Sequence, residues 1–274
     1  MAEPVQIDID KVVKSKFRKG RGLPGFIVNY LKRIIHQDEI NEFLRKSHGL
    51  SGVDFTKSAG TDLVRAGYRI KGIENIPKEG RHIFVSNHPL GGLDGILLIS
   101  LLGDFYDGKI KAQVNDLLMN ITPMAPVFIP VNSYGRQTRD LSRDMAGVFD
   151  SDDQILVFPA GLCSRRINGV IQDPEWKKWF VTSAVQYHRD VVPVYFDGRN
   201  SNFFYRFAFI RKMLGIKFNI ELMYLPDEMF KMRHKTFDIY FGKPIPWQSF
   251  NGSKTPKEWA QDVRRQVYEL KNKQ

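Results

Sequence analysis

Cysteine is nearly absent: Cys163 stands alone among 274 residues. A single thiol excludes an intramolecular disulfide framework and a cysteine-cluster metal site. Long apolar runs are missing as well. The longest, Ile96 to Leu102 with Ser100 inside it, falls far short of the ~20 residues that a membrane-spanning helix needs. The first twenty residues, MAEPVQIDIDKVVKSKFRKG, are charged throughout and contain no apolar stretch of signal-peptide type. The expectation is a protein of the cytoplasm or of a membrane surface, which makes the sequon-like triplets at Asn120 and Asn251 chance matches. No repeat, low-complexity tract or Pro/Gly/Ser-rich linker divides the chain. The six histidines are scattered with no ligand-like spacing, so no metal is expected.

Lysine and arginine number 41 against 30 acidic residues, a formal charge of +11. Such a surplus favours polyanionic partners: nucleic acid, anionic lipid headgroups or phosphorylated substrates. No zinc-finger spacing or RNA-recognition aromatic motif accompanies it, which argues against nucleic acid. Residues 23–35 and 202–214 join cations to aromatic and aliphatic side chains. Amphipathic segments of that kind lie in a headgroup layer, although the aromatics at 203–214 suit a core against a sheet equally well. With the charge added, the reading is peripheral binding to an anionic membrane, on the inner face of the cytoplasmic membrane.

From about residue 68, short β-rich runs alternate with helical patterns. Strands are expected at 68–73, 82–86, 110–114, 127–131, 154–158, 191–196, 218–224 and 237–241. Runs such as Ile155-Leu156-Val157-Phe158 are apolar without alternation, as in strands covered on both faces. Helix starts are expected at Asp173-Pro174-Glu175-Trp176 and at Thr255-Pro256-Lys257-Glu258, each an N-cap, a proline at N1 and an acidic first turn. Strands alternating with helices predict an α/β fold with a largely parallel central sheet flanked by helices. The start of the chain differs, with helices expected at about 24–35, 38–46 and 54–65. The domain reading is a helical N-terminal segment, 1–66, before an α/β body, 67–274.

Strand 82–86 runs into Asn87-His88-Pro89-Leu90-Gly91-Gly92-Leu93-Asp94 and then a helix. In parallel sheets, functional loops lie just beyond the carboxyl ends of strands. His88 sits where an imidazole can act as a general base. Asp94, at or near the N-cap of the next helix, can accept the proton of the other ring nitrogen and fix the tautomer. Pro89 and the two glycines permit a tight loop that returns the carboxylate to the ring. The plainer alternative is that Asp94 only caps its helix and His88 is an incidental loop residue.

Neighbouring motifs favour the first reading. Asn87-His88…Asp94 resembles the signature of the glycerolipid acyltransferases, the family that includes lysophosphatidate acyltransferase. Three further blocks follow in the family's order. Ala125-Pro126-Val127-Phe128-Ile129-Pro130 resembles the second, Phe158-Pro159-Ala160-Gly161 the third and Val192-Pro193-Val194 the fourth. The likeness spans roughly residues 68–200. It implies acyl transfer from a thioester of acyl-carrier protein or coenzyme A to the hydroxyl of a lysolipid. His88 would deprotonate that hydroxyl and Asp94 would orient His88, with no bound cofactor, metal or enzyme nucleophile. The last point suits a chain without a Gly-x-Ser-x-Gly elbow.

The departures bear on the acceptor. Five residues, where the family has four, separate His88 from Asp94. Ala160 replaces a glutamate that helps hold the acceptor. Val131 and Asn132 stand where the second block's arginine falls, with Arg136 beyond. Cys163 takes the third block's arginine position, with Arg165 and Arg166 following. The Phe-Pro-Ala-Gly block resembles a haemolysin-like bacterial branch associated partly with amino-acid lipids. The resemblance thus implies lysophosphatidate or an acylated amino-acid lipid as acceptor, with Asn87, Arg136, Phe158, Pro159, Ala160, Gly161, Arg165 and Arg166 binding substrate. Two other functions fit the same chain: a thioester hydrolase, and a non-catalytic basic membrane- or nucleic-acid-binding protein on a decayed scaffold. Gly20-Arg21-Gly22-Leu23-Pro24-Gly25 fits a nucleotide-loop pattern, but no strand precedes it. Cys163 has no histidine near it in sequence to activate it as a nucleophile.

Overall fold

The computed structural model describes residues 6–16, 23–115, 119, 121–131 and 146–272. Its strands are β1 (Gly67–Lys71), β2 (His82–Ser86), β3 (Ile110–Asn115), β4 (Phe128–Val131), β5 (Gln154–Val157), β6 (Arg165–Ile167), β7 (Val170–Gln172), β8 (Asp190–Phe196) and β9 (Thr236–Phe241). Seven of them form one sheet in the order β1-β9-β8-β2-β5-β3-β4. Every neighbouring pair is parallel except β8 and β9. The α/β reading with a largely parallel sheet therefore holds.

Central strand β2 is buried along its whole length, paired to β8 on one side and β5 on the other. Successive side chains of a strand point to opposite faces, and here both faces are covered. Phe84 joins a core with helix α5 (Leu93–Phe105), while Ile83 and Val85 join one with helices α6 (Trp179–Gln186) and α9 (Pro256–Glu269). The helix α5 is apolar nearly all round, as a helix covered on all sides must be. Ahead of the sheet come α1 (Ile9–Lys16), α2 (Gly25–Ile35), α3 (Gln37–Lys46) and α4 (Gly52–Ser58), the last continuing as a wider turn through Ala59–Val64. Phe43, Leu44 and Phe55 from α3 and α4 enter the same core as α5. Two further helices are α7 (Asn202–Met213) and α8 (Leu225–Phe230). None of the helices among the described residues is long and apolar enough to cross a membrane.

Two local expectations are corrected, and one hairpin stands where no strand was expected. Residues 218–224 alternate as a half-buried strand does, yet Ile220–Tyr224 is a 3-10 turn. Glu221 accounts for the difference: its carboxylate is fully buried between the guanidinium groups of Arg165 and Arg211, and a place in the sheet ladder would deny it both. Asp173 does not cap a helix, because α6 starts only at Trp179. Its carboxylate is occupied by Ser164, Trp176 and the His88 amide. Finally, β6 and β7 form a hairpin through Asn168-Gly169, both at positive φ (50° and 82°). Asn-Gly is the preferred sequence for such a turn, so that hairpin was readable. The expected start of α9 is present as a capping box, with Thr255 and Glu258 bonding each other's backbone N–H.

Candidate active site

The chain leaves β2 at Ser86 and enters α5 at Leu93, and the loop between them is tied down from four directions. Asn87 holds the first: its amide nitrogen donates to Phe196 O at 3.0 Å, and its oxygen accepts from Phe196 N at 2.7 Å. Both polar atoms of Asn87 are thus occupied by the end of β8. The ring of His88 lies against Phe158, with centroids 4.2 Å apart. Its Nδ1 is 3.0 Å from Asp94 Oδ2, the contact expected from the sequence. That oxygen also accepts from Leu90 N, and Oδ1 accepts from Gly92 N and Gly95 N. The extra loop residue is taken up by Gly91 at φ +76°, where a Cβ would sit 3.0 Å from Cys163 Cβ and Leu225 Cδ2. A carboxylate only accepts, so Nδ1 carries the proton and Nε2 keeps its lone pair. No described residue bonds Nε2.

Burial works against charge on both members of this pair, and their mutual attraction reverses it. The His88 pKa is raised above its ordinary value despite burial, because Asp94 lies beside it; Asp94, fully buried, is held low by His88 and by its backbone donors. A dyad of this kind can accept a proton at Nε2 and stabilise the imidazolium that forms.

A second carboxylate lies behind the ring, one that sequence reading assigned to a helix cap. Asp173, buried at 1% exposure, accepts from His88 N at 3.2 Å, Ser164 Oγ at 2.6 Å and Trp176 Nε1 at 3.0 Å. Burial pushes its pKa up, and those donors work against the rise. Nothing local in the sequence announces this role. A buried tryptophan three positions after an aspartate was the one available hint.

The third block surrounds the dyad without presenting much polar surface. Phe158 covers a ring face of His88, Pro159 O accepts from Lys177 N, and Ala160 is packed into the core on the α6 face. Gly161 turns the chain at φ +69°. Arg165 donates to Cys163 O and Ser164 O and pairs with Glu221 at 3.0 Å, so much of its guanidinium is engaged internally. Arg166 is exposed, near Asn202 Oδ1. Cys163 is buried, its thiol pushed up to about 11 by burial, unlike an activated nucleophile. Arg136 lies outside the described residues. Among the described residues no group of three or more His, Cys, Asp or Glu side chains is placed to hold a metal ion.

Residues 12–274 match the family model described as Acyltransferase. A lyso-glycine lipid O-acyltransferase of Bacteroides thetaiotaomicron is 56% identical over 265 residues, covering 96% of this chain and 97% of that protein. A protein of the same name from Phocaeicola vulgatus is 54% identical over 265 residues, covering 96% and 95%. The crystal structure of the 1-acyl-sn-glycerophosphate acyltransferase of Thermotoga maritima is similar in fold, with a TM-score of 0.51 at 18% identity over 97% of this chain and 89% of that one.

Proposed function

The chain belongs to the acyltransferase family, and on that premise we propose that it moves a fatty acyl group from an acyl thioester to the hydroxyl of a carboxylate-headed lysolipid of the lyso-glycine type. The observation that carries this reading is the His88–Asp94 pair at the carboxyl end of β2. His88 Nε2 takes the proton of the acceptor hydroxyl as its oxygen attacks the thioester carbonyl. Asp94 holds the Nδ1 proton and stabilises the imidazolium. The tetrahedral intermediate then collapses, the carbon–sulfur bond breaks, and His88 returns the proton to the leaving thiolate. A positioned base of this type contributes about 10²–10⁴ in rate. The thioester is carried by acyl-carrier protein or coenzyme A.

Two features support a carboxylate over a phosphate head. Ala160 offers only a methyl group, and Cys163 stands where a further cation would help neutralise a dianion. Arg166, exposed at the hairpin β6–β7, remains to fork a single carboxylate. Donor and acceptor would meet at a membrane surface. The segment 203–218 exposes Phe209, Ile210, Met213, Leu214 and Phe218, and it contains Arg206, Lys212 and Lys217 but no acid, its fourth cation, Arg211, being paired with buried Glu221. Apolar side chains set among cations match the interfacial layer of an anionic bilayer, here the inner face of the cytoplasmic membrane.

A competition assay tests the chemistry: one acyl thioester, lyso-glycine lipid and lysophosphatidate together, with wild type, His88→Ala and Arg166→Ala. Expected are preference for the glycine lipid, loss of transfer in His88→Ala, and a raised KM for that acceptor in Arg166→Ala. Strong preference for lysophosphatidate would overturn the acceptor assignment. Near-wild-type transfer by folded His88→Ala would overturn the mechanism.

A further inference from the structure

The proposed reaction uses the ring of His88; the structure also controls its backbone. Both hydrogen-bonding groups of the His88 peptide unit are taken. The N–H donates to Asp173, at 3.2 Å to one oxygen and 3.3 Å to the other, and the carbonyl accepts from Ser164 N at 2.7 Å. Ser164 closes the figure by donating its hydroxyl to the same Asp173. Asp173 is itself anchored from two further sides: Trp176 Nε1 donates to its second oxygen, and its own N–H donates to the Tyr268 hydroxyl of α9. Three stretches of chain that are far apart in sequence therefore meet at one buried carboxylate.

A buried carboxylate is expensive to keep in a fold. Its desolvation is offset only when every lone pair finds a donor, and an apolar side chain of similar size often serves packing as well or better. Retaining the charge here calls for something that an apolar residue could not supply. A carboxylate at this point does two things. It holds the root of the imidazole directly at the His88 N–H and indirectly through Ser164, whose amide bonds the His88 carbonyl, and it places negative charge near a ring that becomes positive during the reaction. The charged groups facing His88 are Asp94 from α5, Asp173 from the β7–α6 connection and, opposing them, Arg165 from β6.

We propose that Asp173, acting together with Ser164, is a positioning residue for His88: it sets where Nε2 stands and favours the protonated ring. The inference rests on His88 being the base of the reaction proposed above. Displacing a reacting group by about 1 Å can cost on the order of 100-fold, and the backbone root of His88 is where such a displacement would begin.

The test uses the full chain with Asp173→Asn, which keeps shape but replaces one oxygen by a donor, and with Ser164→Ala. Two readouts are made. One is kcat and KM across pH with an acyl thioester and lyso-glycine lipid. The other is the titration of His88 by NMR on histidine-labelled protein, assigned with His88→Ala, which needs no activity. For Asp173→Asn we expect kcat lower by about 10- to 100-fold with KM within about twofold of wild type, and a His88 midpoint moved to lower pH. Ser164→Ala, which leaves the charge, should lower kcat less and barely move the midpoint. A wild-type midpoint and kcat in folded Asp173→Asn would overturn the proposal. So would wild-type kcat in Ser164→Ala if Asp173→Asn does not fold. If wild type transfers no acyl group but Asp173→Asn still shifts the His88 titration, the proposed function fails while the positioning holds.

Discussion

Asp94→Asn keeps the side chain's shape and removes its charge, and the geometry predicts more than the loss of a charge. One native oxygen accepts from His88 Nδ1 at 3.0 Å and Leu90 N at 2.9 Å; the other accepts from Gly92 N at 3.1 Å and Gly95 N at 2.9 Å. All four partners are donors, so the new NH2 group meets donors whichever way the amide turns. Facing the two glycines it meets two backbone N–H groups that cannot change. Facing His88 it meets one such group and a ring that can adapt, so this orientation is preferred. The ring adapts by giving up its Nδ1 proton and carrying it on Nε2, the nitrogen that has to accept the substrate's proton. The wrong tautomer costs about 10⁴ in kcat in a well-known His–Asp pair of a protease, and a loss of about 10³ or more is expected here. Asp94→Ala leaves a gap but no competing donor. His88 then still samples the reactive tautomer, and the loss should be nearer about 10². Steady-state kinetics on both variants, with thermal melts to show that each is folded, reads the order directly. Asparagine worse than alanine is the signature of tautomer control. If Asp94 merely capped α5, Asp94→Ala would lose about 1 kcal/mol of stability, Asp94→Asn almost none, and neither would lose much activity. A folded Asp94→Asn within about threefold of wild type would refute the reasoning.

Other expectations follow from the same geometry. Burial disfavours charged His88, but Asp94 outweighs it and holds the ring's pKa above its ordinary value of 6.5. The pH profile of kcat/KM should therefore rise through a midpoint above 6.5 in wild type and through a lower one in Asp94→Ala, where the main charge that offsets burial is gone. Stability follows with opposite signs. The His88 contribution is complete below its unfolded pKa and lost as pH rises through the raised folded value; that of Asp94, held low, is present above its unfolded pKa and lost as pH falls through the folded one. Denaturant titrations at acid, neutral and mildly alkaline pH separate the two. Gly91→Ala must adopt φ +76° and push against Cys163 and Leu225, so a loss of about 1–3 kcal/mol in a melt is expected; an unchanged melting temperature would contradict it. Cys163→Ala should retain acyl transfer, since a buried thiol raised to about 11 is protonated at neutral pH; abolished transfer in a folded variant would reopen a nucleophilic role. Wild type should sediment with anionic vesicles more than with neutral ones, less so as salt rises, and Phe209→Ser with Met213→Ser should weaken this without changing transfer to a short-chain, soluble acceptor.

Much of the scaffold follows from local pattern. The strands β2, β5 and β8 are short, apolar and rich in β-branched residues, so their identity is a matter of a few consecutive side chains. The α9 capping box is likewise complete within four residues, Thr255 to Glu258. His88 and Asp94 lie six positions apart, near enough for loop length and two glycines to limit how they meet. What composition and spacing could not reach were the partners of buried polar groups. Asn87 looked like a substrate ligand by its place in the motif, but its amide closes on Phe196, 109 positions away. Asp173 looked like a helix cap because Asp-Pro-Glu is a sound local signal, and it was overridden by a bond to His88 across 85 positions. Glu221 sat in a strand-like alternation until Arg165, 56 positions before it, claimed its carboxylate. Sequence alone therefore determined the layered α/β body, the loop after β2 and the His88–Asp94 pair within it, because propensity, periodicity and turn geometry act over a few residues. Only the tertiary structure decided where the buried charges went: leaving a charge unpaired in the interior costs more than any local preference yields, and which partner relieves it depends on segments that meet only when the chain has folded.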